Sequence, residues 1–281
     1  MKNNVAKALI ILCVALISGE ALAQNVLDGA YIKENTPKRR VIPYTFLREA
    51  DVVWSRRIWR VIDLREKINQ SFYYPVTPTN ERKALIDVIH TALVEGRLTA
   101  YGNPLFDDEF KVPLTKSEVE GIFTKWDSTN TVEDPETGEM KVAPIRKDIG
   151  AEQTKQYMLK EDWFFDKQRS VLDVRIIGIC PMTEKFSEAG EFVGFQRLFW
   201  IYFPEARPVF ASAEVYNRHS DEERRTYEDI FWKRQFSSYI FKETNVYDRT
   251  IAEYKKGLDA LLESEDIKAK IFNWEHDLWH F

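Results

Sequence analysis

The spacing of apolar residues predicts helices in the N-terminal part of the chain. Between residues 47 and 68, apolar side chains recur every three or four positions, which is typical of an amphipathic helix. A second helix is predicted over about 80–95, and a third after Thr115, because Thr115 and Glu118 have capping-box spacing. The apolar stripe of the first predicted helix consists of Leu47, Ala50, Trp54, Ile58, Val61 and Ile62.

The middle of the chain changes to the pattern of β-strands. Residues 131–133 and 140–142 flank a turn-rich segment and predict a hairpin. Three stretches rich in β-branched and aromatic residues follow at 156–165, 171–181 and 197–203. Their connections are too short to contain helices, so we expect the strands to pair antiparallel.

The C-terminal part is predicted to be helical again. One helix is expected from Asp221 to about Lys242. A last, long helix is expected to start near Asp248 or Thr250, with a break near Ser264. The order of helices, then strands, then helices predicts an α+β fold around a central antiparallel sheet. The apolar stripe assigned to the last helix is Ile251, Tyr254, Leu258, Leu261, Leu262, Ile267, Ile271, Trp274 and Leu278.

The first residues have the composition of an export signal. A basic start is followed by the apolar run 8–17 and by the small-x-small motif that signal peptidase recognises. Cleavage is therefore predicted between Ala23 and Gln24, which makes residues 1–23 a signal peptide. The apolar run is shorter than the roughly 20 residues of a membrane-spanning helix, although an uncleaved membrane anchor is the alternative interpretation.

Residues 24–43 have the character of an extended arm. They show no apolar periodicity, so the arm is either disordered or laid onto a neighbour, and both interpretations stay open. Residues 44–281 are expected to form a single α+β domain, within which 44–125 is a candidate helical subdomain. The basic cluster of the arm, which we expect to dock on an acidic partner surface, consists of Lys38, Arg39 and Arg40.

Composition and charge narrow the classes of function. The formal net charge of −5 comes from well-mixed charges, whereas nucleic-acid binding requires a strongly basic surface. The chain contains eight tryptophans, more than a small-molecule site uses, and such residues are typical of large cores and protein interfaces. Cys180 is the only cysteine after the leader, so no disulfide forms within the mature chain, and we expect it to be a buried small hydrophobe.

The sequence lacks the motifs of common catalytic and cofactor sites. There is no glycine-rich phosphate loop and no nucleophile elbow, so we predict no catalytic residue and no cofactor. His276 and His280 are four positions apart on a predicted helix, which makes them a weak candidate pair for one metal ion. A site at a fraying helix end holds its geometry poorly, so no metal centre is predicted. The acidic run 107–109 is assigned to a solvated loop.

Tryptophan and arginine residues are the candidates for contacts with other proteins. Both residue types are favoured as anchors at interfaces, and the tract from Trp54 to Arg60 contains both. Large aromatic residues also dominate cores, so packing inside the domain is the alternative for Trp54 and Trp59. The interaction candidates are Lys38, Arg39, Arg40, Trp54, Arg57, Trp59, Trp274, Trp279 and Phe281.

Several segments have a pattern specific enough to suggest a family. These segments are 41–44, 47–52, 54–65, 161–170, 175–181, 200–207, 224–234 and 275–279. They resemble the GldN/PorN family of gliding-motility and type IX secretion proteins. The resemblance covers almost the whole mature chain and is weakest in the loops 121–153 and 183–195.

The resemblance implies a structural role rather than an enzymatic one. Proteins of this family are expected to lie in the periplasm of Bacteroidetes, at the inner face of the outer membrane. There they form a ring with an outer-membrane lipoprotein of the GldK/PorK type and contact a motor protein of the GldM/PorM type. The ring supports protein export and, in gliding species, motility. The alternative left open by the residues alone is a periplasmic metal-dependent hydrolase that uses His276 and His280.

Overall fold

The computed structural model describes most of the chain after the arm. The described residues are 40–79, 82–102, 108–127, 131–133, 140–142, 145–187, 191–217 and 224–278, and between 125 and 147 only the backbone is described. All of them fall within one compact unit, 37–281. The predicted signal peptide and most of the arm lie outside the described residues.

Strands and helices both contribute to the described part of the chain, which confirms the predicted α+β class. The strands are β1 (Val52–Asp63), β2 (Ala100–Tyr101), β3 (Thr124–Asp127), β4 (Thr131–Glu133), β5 (Met140–Val142), β6 (Ile145–Asp148), β7 (Thr154–Asp166), β8 (Val171–Phe186), β9 (Phe192–Arg197), β10 (Trp200–Tyr202) and β11 (Tyr239–Glu243). The α-helices are α1 (Gln70–Tyr73), α2 (Leu85–Val94), α3 (Lys116–Phe123), α4 (Phe203–Ser212), α5 (Tyr227–Trp232), α6 (Ile251–Tyr254) and α7 (Leu258–Asp277).

A seven-stranded antiparallel sheet forms the centre of the fold. Its order is β11-β1-β7-β8-β10-β2, and β9 pairs with β8 beside this path. The three predicted β-rich stretches correspond to β7, β8 and β10, and the predicted hairpin corresponds to the β4–β5 pair. The antiparallel β block predicted from the sequence is therefore confirmed.

The predicted first helix is wrong, because residues 52–63 form strand β1. This strand lies between β11 and β7, with Ile58 opposite Glu161 and Ile62 opposite Tyr157. From Ile58 to Asp63 every residue of β1 is buried, so apolar side chains occupy both faces and the alternation expected of a half-exposed strand is lost. The N-terminal part of the domain therefore contributes a central strand as well as helices.

The second and third predicted helices are confirmed as α2 and α3. Helix α2 lies inside the predicted range 80–95. Helix α3 begins with the predicted capping box, in which the Thr115 side chain accepts from the Glu118 N–H and the Glu118 carboxylate accepts from the Thr115 N–H. These two reciprocal bonds satisfy donors that the start of a helix leaves without an intrahelical partner.

The helix predicted from 221 to 242 is much shorter in the structure. Helix α5 covers only Tyr227–Trp232, and Arg234 then adopts a left-handed backbone conformation with φ of 51°. The chain continues into β11, the edge strand that pairs with β1. Tyr239, Ile240 and Phe241 are residue types that favour strands, and pairing with β1 overrides the helical spacing. Residues 221–223, the predicted helix start, lie outside the described residues.

The last predicted helix is divided before the predicted position. Helices α6 and α7 are separated near Gly257, which has a positive φ of 59°, a conformation that glycine adopts readily. Ser264 lies inside α7, where its Oγ accepts a hydrogen bond from the Ile240 N–H at 2.9 Å. Leu258, Leu261 and Leu262 belong to the apolar stripe predicted for this helix, but all three are exposed.

Three apolar clusters hold the sheet and helices together. The largest lies between one sheet face and helices α2 to α5, and contains Ile62, Tyr157 and Phe231. A second lies on the opposite face, as the alternation along β1 requires, and contains Trp59 and Trp200. Cys180 belongs to this cluster, and burial raises the pKa of its thiol to about 12, which confirms the predicted buried hydrophobe. The third cluster lies beneath α7.

Candidate interaction surfaces

The structure describes only some of the predicted interaction residues. Lys38, Arg39, Trp279 and Phe281 lie outside the described residues, as does His280. Arg40, the last of the basic cluster, is exposed. Trp54, Arg57, Trp59 and Trp274 are described, and the sheet places them in two separate environments.

Trp54 and Trp274 hold helix α7 on the sheet. Their rings stack with centroids 4.7 Å apart, and the Trp274 ring meets Phe165 edge-on at 5.7 Å. Both tryptophans are half-buried. Beneath them, isoleucines from β1, β11 and both C-terminal helices form the third cluster. These two candidates therefore act first within the domain, by fixing the position of α7.

Trp59 is also an internal residue. Only 8% of it is exposed, its indole N–H donates to the Asp108 carboxylate at 2.7 Å, and the Lys242 ammonium lies 4.5 Å from the ring centroid. Neighbouring Arg57 projects from the same sheet face and forms a bidentate ion pair with Asp162 at 2.6 and 2.9 Å. The side-chain hydrogen bond to Asp162 raises the pKa of Arg57. Arg57 is exposed, whereas Trp59 is buried.

A buried lysine beside Trp59 was not found by sequence reasoning. Lys160 is only 2% exposed, and its ammonium donates to the Asp108 carbonyl oxygen at 2.6 Å and lies 3.4 Å from the Asp108 carboxylate. Burial lowers the pKa of Lys160, and Asp108 opposes that shift. Asp108 thus belongs to a charge cluster rather than to a purely solvated loop. The contacts of Lys160 with the carbonyl oxygen and the carboxylate of Asp108 attach the 108–112 segment to the sheet.

Two arginines attach the end of the arm to the domain. Arg207 of α4 donates to the Ile42 carbonyl oxygen at 2.7 Å, and Arg175 of β8 donates to the Thr45 carbonyl oxygen. The Tyr44 ring lies between them, with its centroid 4.0 Å from the Arg207 guanidinium carbon and 5.1 Å from that of Arg175. We call this arrangement the arm clamp. It shows that the described end of the arm lies on the domain.

The arm clamp is built on a buried ion pair. Arg207 contacts the Glu228 carboxylate at 2.6 Å through Nη2 and 2.8 Å through Nε, and both residues are buried. Burial raises the pKa of Glu228, and the hydrogen bond from Arg207 opposes this shift. The Trp232 ring stacks on Tyr44 with centroids 5.7 Å apart. Beside the clamp lies a cavity of about 330 Å³.

The solvent side of helix α7 carries several large apolar side chains. Ser264, Ile267 and Ile271 face the sheet, so the helical period of 3.6 residues places Leu258 and Leu262 on the opposite side and Phe272 on the flank beside them. Phe272 is 65% exposed and Leu258 is 70% exposed. Exposed apolar side chains that share one side of a helix are candidates for contact with another protein. We define the α7 outer face as Leu258, Leu261, Leu262 and Phe272.

A second exposed apolar surface lies at the end of the β8–β9 hairpin. Phe186, Phe192 and Val193 are each more than half exposed, and the two phenylalanine rings meet edge-on at 6.2 Å. We call these three residues the hairpin patch. The hairpin patch continues from Thr183, which pairs with Thr154 at one end of β7, whereas α7 runs along the sheet from Ser264, which bonds Ile240 of β11, to Trp274, which contacts Phe165 at the other end of β7. The hairpin patch and the α7 outer face therefore belong to separate elements.

The metal site considered from the sequence has little support in the described residues. Among them, no group of three or more histidine, cysteine, aspartate or glutamate side chains is placed to hold a metal ion. His276 is exposed near the end of α7, 3.9 Å from the Asp277 carboxylate. Within the same residues, no helix has both the length and the apolarity to cross a bilayer.

The fold and its exposed surfaces define an α+β domain suited to contacts with other proteins. A family model described as gliding motility associated protein GldN matches residues 47–280. The chain therefore belongs to the GldN family. Its role is related to gliding motility and type IX secretion, and the family is a structural component rather than a known enzyme family. No curated protein matches the chain.

Proposed function

We propose that this protein is a periplasmic structural subunit of the type IX secretion system. In this role it forms a ring with an outer-membrane lipoprotein of the GldK/PorK type and contacts a motor protein of the GldM/PorM type. The ring supports protein export across the outer membrane and, in gliding species, motility. The lipoprotein holds the subunit at the inner face of that membrane. Membership of the GldN family and the predicted export signal both support this proposal.

The observation that carries the proposal is the presence of two unlike exposed apolar surfaces on separate elements, one on α7 and one at the end of the β8–β9 hairpin. A subunit in a closed ring contacts its neighbours through two different faces, and it needs further surface for the lipoprotein and the motor. The α7 outer face and the hairpin patch supply exposed leucine and phenylalanine side chains at separate places. Aromatic side chains are enriched at interfaces and often anchor them.

We predict that the immobilised lipoprotein captures the mature protein, residues 24–281, and that a patch variant weakens capture. Phe192→Ser removes an exposed ring from the hairpin patch, and Leu262→Asp places a charge on the α7 outer face. At least one of them is expected to weaken capture about tenfold, because an anchor residue contributes more than about 1 kcal/mol. Binding is measured by surface plasmon resonance.

The matched control for both variants is Val112→Ser, which alters an exposed valine outside the two surfaces. This variant is expected to bind the lipoprotein as the unaltered protein does. If the unaltered mature protein shows no capture, the proposed role in the ring is contradicted. If all three variants bind equally well, the lipoprotein contacts neither of the two apolar surfaces.

A further inference from the structure

The stretch from Val246 to Leu278 collects exposed apolar side chains to an unusual degree. Besides the α7 outer face, the loop before α6 contains Val246, which is 97% exposed, and Tyr247. The isoleucines on the other side of α7 are already buried against β1 and β11. Within the described part of the chain, the α7 outer face therefore has no covering element of its own.

Helix α7 is acidic as well as apolar. It contains six carboxylates and two lysines, a net charge of −4. Both lysines are engaged along the helix, Lys268 with Glu265 at 3.3 Å and Lys270 with Asp266 at 2.9 Å. Of the carboxylates beyond these two ion pairs, Asp259 and Asp277 are exposed beside the outer face, and Glu263 and Glu275 are half-buried. An occupant of the outer face should therefore combine apolar side chains with positive charge.

The arm of this same protein has that combination. Residues 24–40 carry four basic and two acidic side chains, a net charge of +2, with three of the basic ones at 38–40. The segment also contains an apolar part that consists of Val26, Leu27, Ala30, Tyr31 and Ile32. A segment of this length spans roughly 55 Å when extended, which is enough to reach a neighbouring molecule.

We propose that residues 24–40 of one copy lie on the α7 outer face of the next copy. The inference rests on the proposed function, because a ring requires a head-to-tail contact between two different parts of the same protein. The arm clamp fixes the root of the arm beside β8 and α4, whereas the isoleucines beneath α7 come from β1 and β11, with Trp163 of β7 and Leu172 of β8 at the edge of their cluster. The donor and acceptor of the contact are thus separate places on one molecule, as such a ring demands.

Two variants of the mature protein test this contact by complementation. The first lacks residues 24–40 but retains the arm clamp, and the second carries Leu262→Asp and Phe272→Asp on the outer face. Each variant alone should be monomeric, because each lacks one half of the contact. An equimolar mixture should form 1:1 heterodimers, since the intact arm of the second variant can bind the intact face of the first. Analytical ultracentrifugation distinguishes these species.

Two further measurements connect the contact to its charges. Reversing Lys38, Arg39 and Arg40 to glutamate should weaken self-association at least tenfold, which corresponds to about 1.4 kcal/mol. Self-association of the unaltered protein should also weaken as salt increases, because exposed charges are screened. The matched control, Val112→Asp with an intact arm, should self-associate like the unaltered protein.

Defined outcomes would overturn the proposal. If the arm-deleted variant self-associates as strongly as the unaltered protein, the arm does not form the contact and the outer faces pair with each other or with another surface. If both variants are folded by circular dichroism but their mixture stays monomeric, the arm covers its own α7 or another site. Lipoprotein capture is measured on the same arm-deleted variant, so loss of self-association with capture retained separates this contact from the proposed function as a whole.

Discussion

Replacing Arg207 with methionine is expected to lower the free energy of unfolding by about 3–5 kcal/mol, as for other buried ion pairs that lose one partner. The substitution removes the cation from Glu228, which lies in direct contact with Arg207 at 2.6 Å. Both residues are buried, so the Glu228 carboxylate loses its charged partner without gaining the solvation of an exposed group. Urea denaturation of the two proteins, followed by tryptophan fluorescence and circular dichroism, measures the difference.

A double variant isolates the effect of the charge. If the uncompensated Glu228 carboxylate causes the loss, Arg207→Met combined with Glu228→Leu should recover much of the stability, because a buried ion pair is often replaceable by apolar residues. A double variant as unstable as the single one would instead assign the loss to other contacts. The main ones are the hydrogen bond to the Ile42 carbonyl oxygen and the stacking on Tyr44.

The destabilisation by Arg207→Met should depend on pH in a defined direction. Burial already raises the pKa of Glu228 above its ordinary value, and removing the opposing arginine raises this pKa further. A group whose pKa is higher in the folded state contributes stability that is fully present below its unfolded pKa and is lost as pH rises through its folded pKa. The stability deficit of the variant should therefore be largest at neutral pH and shrink towards the ordinary pKa of glutamate.

The sequence correctly predicts the elements that are determined by neighbouring residues in the chain. The β block follows from short connections between β-rich stretches, and α3 follows from the Thr115–Glu118 capping box. The sequence predicts a helix where strand β1 forms, because both faces of this strand are buried and a strand of that kind lacks clean alternation. Whether such a segment forms a helix or a strand depends on the elements that pack against it in the fold, and sequence periodicity does not specify these.

The surfaces of the domain depend on contacts between distant segments. The arm clamp exists only because Arg207 and Glu228, on α4 and α5, meet beneath Tyr44. The leucines near the start of α7 have the spacing of a buried stripe, yet the sheet contacts Ile267 and Ile271 instead. A long helix with apolar residues on both sides has two candidate buried faces, and tertiary packing selects between them. The unselected face becomes the exposed surface.

Replacing Phe72 with alanine is expected to lower the free energy of unfolding by about 3–5 kcal/mol through the cavity that it leaves. Phe72 lies on α1 with 1% of its surface exposed. Its ring contacts Phe231 at a centroid distance of 5.2 Å and Tyr227 at 6.1 Å, so it joins α1 to α5 in the main core. Phe72→Leu, which retains much of the volume, should cost about 1.5 kcal/mol or less. Thermal and urea denaturation measure both variants.

Replacing Phe272 with alanine should affect self-association and leave the free energy of unfolding nearly unchanged. Because Phe272 is 65% exposed on α7, Phe272→Ala should change the free energy of unfolding by no more than about 0.5 kcal/mol. Self-association should nevertheless weaken, since the ring belongs to the surface on which the arm of the next copy is proposed to lie. A large loss of stability in Phe272→Ala would mean that this ring packs within its own domain. If Phe272→Ala is stable but does not self-associate, and Phe72→Ala is destabilised, the two results distinguish residues that fold this domain from residues that assemble it.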